Sequence, residues 1–344
     1  MRKLLILITL VCILTVPVQA MEFTAPTAPE SAAKYMPDQT ESFGQDLWYI
    51  LKNAISLAEP DLEDAAAICF ALIAVVLLTS VMKSFSGISG QIVEMVSILL
   101  SAALLIQPSN SLIHLGITTI ESLSEYGKLL LPVMTAAFAA QGAPTASAAL
   151  YTGTAVFNTL LTGGITKLII PLLYIYIALI LANSAVEEQM LSHLRTFVKW
   201  LMTWCLKITI YLFTGYLSIT GAVSGAADAS AIKATRLAIS GMIPVVGKIV
   251  SDASETILIS AGIMKNAAGV YGMLAILSIF IGPFLKIGIQ YLLLKATAAI
   301  CGVLGGKRAT ALIQDFSSVM GFVLAVTGTV CLLLRSARFA LCEV

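Results

Sequence analysis

One short stretch gathers ionisable side chains at helical spacing within a chain that is otherwise apolar. Lys248, Asp252 and Glu255 follow one another at intervals of four and three residues, so they share one face of a predicted helix. Lys265 lies further along the same stretch. Charges at membrane depth are costly and need water or a protein partner, so this face predicts a transport pathway or a docking surface. The alternative is that these groups only satisfy each other at the membrane surface.

Lys295 is the deepest of the charges within predicted spans. It lies near the middle of a predicted span over residues 287–304, which makes it a candidate for a buried ion pair or a pore lining. Asp252 or Glu255 could supply the acidic partner. The other charges within predicted spans lie close enough to a span end to reach the interface, and they are Glu94, Lys167, Lys207 and Lys286.

No set of residues in the sequence matches a catalytic or metal-binding motif. His114 and His193 are the two histidines, and neither has Cys, Asp or Glu neighbours at the spacing of a metal site. The six cysteines are scattered, mostly through apolar segments, without a CxxC pair, which is typical of small core residues. We therefore predict a protein without enzymatic activity and without a cofactor.

The composition is that of a multi-pass integral membrane protein. Of 344 residues, 58% are hydrophobic and only 11% are charged, and the mean hydropathy is +0.95. These values exclude an ordinary soluble domain. A net charge of +1 provides no basic face for nucleic acid. The expected fold class is therefore all-α, a bundle of membrane helices in contact with the lipid bilayer.

The first 20 residues are typical of a secretory signal peptide. Arg2 and Lys3 precede an apolar run over residues 4–16, and the residues before Met21 suit signal peptidase. Cleavage would leave residues 21–64 outside the cytoplasm, ahead of a membrane domain over residues 65–344. The alternative is that the apolar run is retained as a first anchor.

Residues 21–64 form the one long polar stretch, and its second half predicts an amphipathic helix that ends before Pro60. Such a helix could lie at the membrane interface, bind a partner, or simply serve as a spacer. Its apolar face consists of Phe43, Leu47, Ile50, Leu51, Ala54 and Ala58.

Hydropathy predicts about seven spans in the membrane domain. They cover residues 65–82, 92–106, 168–185, 201–223, 267–285, 287–304 and 320–334. Gln107 and Pro108 are predicted to end the second span, Lys286 to lie in a tight turn, and residues 305–319 to form a loop. Amphipathic surface helices are predicted over residues 109–128 and 187–200. Residues 129–163 contain further glycine and proline breaks, and either two more crossings, giving nine, or a re-entrant hairpin fits them.

An odd number of spans places a cleaved N-terminus outside and the C-terminus inside, but the charges agree only in part. The predicted outer side would hold six cations, against the rule that short cytoplasmic loops are rich in Lys and Arg. They are Lys233, Arg236, Lys248, Lys265, Lys307 and Arg308. We favour residues 226–266 as a re-entrant pair, and the alternative is that one crossing is misplaced and the second half inverted.

The same region carries a family resemblance. Residues 244–256, PVVGKIVSDASET, together with Lys265-Asn266-Ala267, resemble the signature region of the stage III sporulation protein AE family. Residues 131–136, LPVMTA, and the Gly- and Ala-rich stretch before Lys233 are also similar. The resemblance covers almost the whole chain and is weakest over residues 22–64.

The resemblance implies a role in endospore formation. A member of this family would lie in the mother cell membrane that surrounds the forespore, as the polytopic subunit of a multiprotein channel. The implied partners are the other stage III sporulation A-type channel proteins, including a cytoplasmic ATPase and ring-forming proteins, and a forespore-side partner. Two other functions fit the residues: an ion-coupled secondary transporter that acts alone through Lys295, Asp252 and Glu255, or a membrane scaffold only.

Overall fold

The structure is a computed structural model of a helical bundle. It describes the backbone of residues 26–37, 43–85, 90–140, 144–186, 189–242 and 246–343. Side chains are described for these residues except 31, 85, 138, 140, 144–146, 149–150, 217–268 and 335–343. The predicted signal peptide and its cleavage site therefore lie outside the described residues.

Helices account for nearly all of the described chain, and that part contains no strand. The elements are α1 (Glu30–Ala33), α2 (Phe43–Leu57), α3 (Glu59–Phe85), α4 (Gly90–Ala140), α5 (Pro144–Gly164), a π-helical turn (Ile165–Ile169), α6 (Ile170–Val186), α7 (Gln189–Met242), α8 (Val246–Val303) and α9 (Lys307–Glu343). The prediction of an all-α membrane bundle is confirmed.

Six of the described segments are long and apolar enough to cross a membrane, by length and composition, where the sequence predicted about seven. They are Glu59–Ser84, Gly90–Ala137, Tyr151–Val186, Gln189–Tyr216, Gly269–Val303 and Lys307–Leu334.

The predicted end of the second span at Gln107 and Pro108 is wrong, because α4 continues through Pro108 and Pro132. Proline removes a backbone hydrogen bond, but a membrane helix tolerates it where neighbouring helices pack against the kink. Leu105 and Leu112, on either side of Pro108, are buried between helices. Residues 109–128 are therefore part of one long helix and not a separate surface helix.

The predicted break at Lys286 is also wrong. α8 passes through Pro283 and Lys286 without interruption, so the predicted spans 267–285 and 287–304 belong to one helix. α9 begins at Lys307, so most of the predicted loop over residues 305–319 is helical. The turn between α8 and α9 is made by Gly305, whose φ of 89° suits glycine.

α7 joins two elements that the sequence separated. The predicted surface helix over residues 187–200 and the predicted span from Leu201 form one continuous helix. The polar residues near its start are tolerated because one of them, Arg195, pairs with a neighbouring helix.

The sequence left residues 129–163 open between two more crossings and a re-entrant hairpin. Their described parts, residues 129–140 and 144–163, belong to two helices that form a hairpin. α4 and α5 are antiparallel: the Asn158 side-chain amide donates to the Ser124 carbonyl oxygen at 3.1 Å, and Tyr151 lines a shallow cleft with Pro132. Gly163 and Gly164 do not break the chain, which continues through the π-helical turn into α6.

Two apolar cores follow one another along the same helices, and we call them the lower core and the upper core. The lower core is formed by residues 69–76 of α3, 98–113 of α4, 173–180 of α6, 198–202 of α7, 287–301 of α8 and 309–323 of α9. The upper core is formed by Ala32 with residues 120–134 of α4, 161–169 of α5 and the π-helical turn, 206–213 of α7, 275–279 of α8 and 326–334 of α9. Four helices, α4, α7, α8 and α9, thus each contribute successive stretches to the two cores.

The predicted amphipathic helix exists as α2, and it packs on this chain's own α8. Ile50 and Ala54 are buried against Leu274 and Ile281, with Tyr35 beside them. A side chain at Gly282 would collide with the Tyr35 ring, so α8 needs glycine at this close approach. α2 therefore lies on the side of the bundle that holds the upper core.

Candidate functional site

Four of the five sequence-predicted site residues lie in the first part of α8. The backbone at Lys248, Asp252, Glu255 and Lys265 is helical, in agreement with the predicted helix. Their side chains lie outside the described part of the structure. Their roles in a pathway or in docking therefore stay predictions.

Lys295, the fifth predicted residue, is exposed on the outside of the described chain. Its ammonium group donates to the Tyr291 hydroxyl at 3.2 Å and lies 5.5 Å from the centre of that ring. Lys295 and Asp252 share one continuous helix and are about 64 Å apart along its axis. An ion pair between them would therefore have to join two copies of the chain.

The structure brings other charged residues together at one end of the bundle. Glu94 of α4 lies between two cations, with its carboxylate 3.5 Å from the Lys83 ammonium of α3 and 3.8 Å from the Arg308 guanidinium of α9. We call this the lower end. The carboxylate thus joins the end of α3 to the first turns of α4 and α9.

Hydroxyl groups next to Glu94 reinforce this junction. Thr79 of α3 donates to the Ser97 hydroxyl of α4 at 3.1 Å, and Ser80 donates to the Leu304 carbonyl oxygen at the end of α8 at 2.8 Å. The hydrocarbon of a bilayer supplies no water to these hydroxyl groups, so hydrogen bonds between helices satisfy them instead. Four helix ends are therefore tied together here.

A second ion pair links α7 to α9 above the lower end. The Arg195 guanidinium donates to the Asp315 carboxylate, and both side chains are largely shielded, with exposed fractions of 24% and 15%. Sequence reasoning missed this pair because it assigned Arg195 to a surface helix and Asp315 to a loop. No spacing signal exists, since the partners are 120 residues apart. Two opposite charges within candidate spans would have been a usable signal once the helix bounds were known.

A third ion pair lies at the far end of α3. The Lys286 ammonium of α8 is 2.6 Å from the Asp61 carboxylate. The sequence predicted that Lys286 reaches the interface from a tight turn, but it pairs with another helix from within α8. Together, the three clusters fix the relative positions of α3, α4, α7, α8 and α9.

An apolar cavity of about 370 Å³ lies beside the upper core, between α2, α8 and α9. Every residue that lines it is apolar, which suits hydrocarbon and not a charged ligand. The lining residues are Phe43, Leu47, Met273, Ile276, Leu277, Phe280, Phe284, Gly328, Cys331 and Leu332.

The clusters found in the structure hold helices together. Among the residues that the structure describes, no group of three or more His, Cys, Asp or Glu side chains is placed to hold a metal ion. Each described acid in an ion pair faces a basic side chain on a different helix. In this part of the chain the ion pairs therefore hold the helices of the bundle to one another.

Comparison with known proteins points to one family. The model of the stage III sporulation protein AE family matches residues 34–339. A curated relative, stage III sporulation protein AE of Bacillus subtilis (strain 168), is 23% identical over 252 residues. That alignment covers 73% of this chain and 62% of the relative, so the chain matches less than two thirds of the relative's length. No solved structure matches the chain.

Proposed function

The chain belongs to the stage III sporulation protein AE family, and from this premise we propose that it is a non-enzymatic membrane subunit of a sporulation channel. The channel would link mother cell and forespore and support development of the spore. The observation that carries the proposal is the family match over residues 34–339, which includes nearly all of the described helices.

The architecture supports a positioning role within an assembly. The described membrane helices are joined by ion pairs at fixed points, and the exposed surface is rich in large apolar side chains that lipid or other subunits would cover. A subunit of a larger complex needs such a rigid bundle to hold its partners in register.

The proposed location is the mother cell membrane around the forespore. The proposed partners are the cytoplasmic ATPase, the ring-forming proteins of the same channel and a forespore-side protein. Lys248, Asp252, Glu255, Lys265 and Lys295 are proposed to face the pathway or to dock these partners.

Deletion in the organism that makes this protein tests the proposal. We expect the deletion strain to complete engulfment but to yield few heat-resistant spores, and the wild-type gene should restore them. Normal spore numbers in the deletion strain would overturn a role in spore development.

A second experiment separates the subunit from a transporter that acts alone. The purified protein is placed in lipid vesicles with an imposed ion gradient, and uptake of candidate solutes is measured. We expect no gradient-driven uptake, because the protein should need its partners. Uptake by this protein alone would contradict the channel-subunit proposal and favour the transporter.

A further inference from the structure

Charged residues of several helices fall at two levels along the bundle. The lower level is the junction of Lys83, Glu94 and Arg308. The upper level is marked by the pair of Asp61 and Lys286. These levels bracket the lower core, while the upper core lies beyond the second one.

The separation of the two levels matches the thickness of a bilayer's hydrocarbon. Asp61 and Lys83 are about 33 Å apart along α3, and Lys286 lies about 26 Å along α8 from its end at Val303. Two exposed lysines agree: Lys167 is about 29 Å from the end of α6, and Lys207 is about 27 Å from the start of α7. A bilayer core is about 30 Å thick.

The exposed face of α4 changes from apolar to polar along the helix. Near the lower end this face is apolar, with Leu99, Ala103 and Ile106 exposed. Above Ile106 it becomes polar over several turns. The exposed polar residues are Gln107, Asn110, Ser111, His114, Thr118, Glu121, Glu125 and Lys128. A helix that faced lipid along its whole length would not carry such a face.

From these three observations we infer that lipid surrounds the lower core, and that the polar face of α4 beside the upper core lies in water outside the membrane. The exposed apolar surface around the lower core, which we call the belt, contacts the hydrocarbon of the bilayer. The polar face of α4 contacts the aqueous phase. Two exposed lysines, Lys199 and Lys295, interrupt the belt. These positions are covered by protein or water in the assembled membrane complex, because a lone charge in lipid is costly.

The lower end faces the cytoplasm in this arrangement. Its connections are short, and the rule that cytoplasmic loops are rich in Lys and Arg applies to short loops. Lys83, Arg195, Lys307 and Arg308 flank them. The six candidate spans then alternate in direction, so α2 and the end of α9 lie outside the cytoplasm. This is opposite to the prediction of a cytoplasmic C-terminus.

Single cysteines and a membrane-impermeant maleimide test this placement. Glu121→Cys and Ala103→Cys form a matched pair, because the two positions are five turns apart on one exposed face of α4. Lys307→Cys reports on the lower end. Each variant is made in a chain whose native cysteines are replaced by alanine, and that cysteine-free chain is the blank. Labelling is carried out in intact protoplasts, in inverted membrane vesicles and after detergent extraction.

We expect Glu121→Cys to react in protoplasts, Lys307→Cys to react only in inverted vesicles, and Ala103→Cys to react only after extraction. Reaction of all three in detergent confirms that each protein is present. Glu121→Cys that is unreactive on both sides would place the upper core in lipid and overturn the inference. Glu121→Cys that reacts only in inverted vesicles would overturn the orientation. Both results are independent of spore counts, so they do not depend on the proposed function.

Discussion

The ion pair between Arg195 and Asp315 should contribute measurably to the stability of the bundle. Removing one member of a buried pair leaves an uncompensated charge and costs about 3–5 kcal/mol. The exposed fractions of 24% and 15% show that the pair is shielded but not fully buried. We therefore expect Asp315→Asn to lower the free energy of unfolding by about 2–3 kcal/mol, just below that range.

A double-mutant cycle isolates the pair. Arg195→Gln and Asp315→Asn are combined, and the double variant should be more stable than Asp315→Asn alone because no charge is left without a partner. The coupling energy should be about 2 kcal/mol. Lys207→Gln is the control, an exposed cation on the same helix that should change stability by less than about 0.5 kcal/mol.

Unfolding can be followed by tryptophan fluorescence during titration of the purified protein with a denaturing detergent. Two of the three tryptophans, Trp200 and Trp204, lie on α7 within three turns of Arg195. If the stability losses of the two single variants simply add in the double variant, the claim that this pair joins α7 to α9 is refuted. An Arg195→Gln variant that is as stable as Lys207→Gln would refute it as well.

Three further substitutions test other contacts. Glu94→Gln leaves two cations facing each other at the lower end and should cost about 1–3 kcal/mol, measured by the same titration. Phe316→Ala empties the centre of the lower core and should cost about 3–5 kcal/mol, whereas an exposed Leu292→Ala should cost far less. Gly282→Leu should displace Tyr35 and expose residues 26–37 and 43–57 to added protease, and unchanged cleavage would count against that packing.

The helical class of this protein was predictable because composition alone determines it. A chain with 58% hydrophobic and 11% charged residues must satisfy its backbone inside lipid, and helices do so locally. The bounds were not predictable from local signals. Pro108 and Pro283 each remove a backbone hydrogen bond, and Lys286 places a charge within an apolar run, but in the bundle the helices continue through all three.

The charged clusters depend on tertiary structure and could not be read from spacing. Glu94 was recognised as a charge close to a span entrance, yet its two partners come from different helices, one of them over 200 residues later. Arg195 and Asp315 were assigned to elements outside the membrane. Spacing along the chain shows only which charges are close in sequence. In the fold, each of these charged side chains forms an ion pair with a residue of another helix.

The sequence placed six cations on the outer side, against the positive-inside rule. For two of them, Lys307 and Arg308, the conflict arises from the predicted break in α8. Splitting α8 at Lys286 adds a crossing and inverts everything after it, so Lys307 and Arg308 fall on the outer side. The contact between Arg308 and Glu94, which also pairs with Lys83, places these cations at one end of the bundle instead. The remaining four belong to the stretch over residues 226–266, which contains the ends of α7 and α8. The connection over residues 217–268 is shorter than about 60 residues, so the positive-inside rule applies to these four cations, and they oppose an orientation with the lower end in the cytoplasm. Labelling of Lys307→Cys from one side of the membrane or the other decides which set of charges governs the orientation.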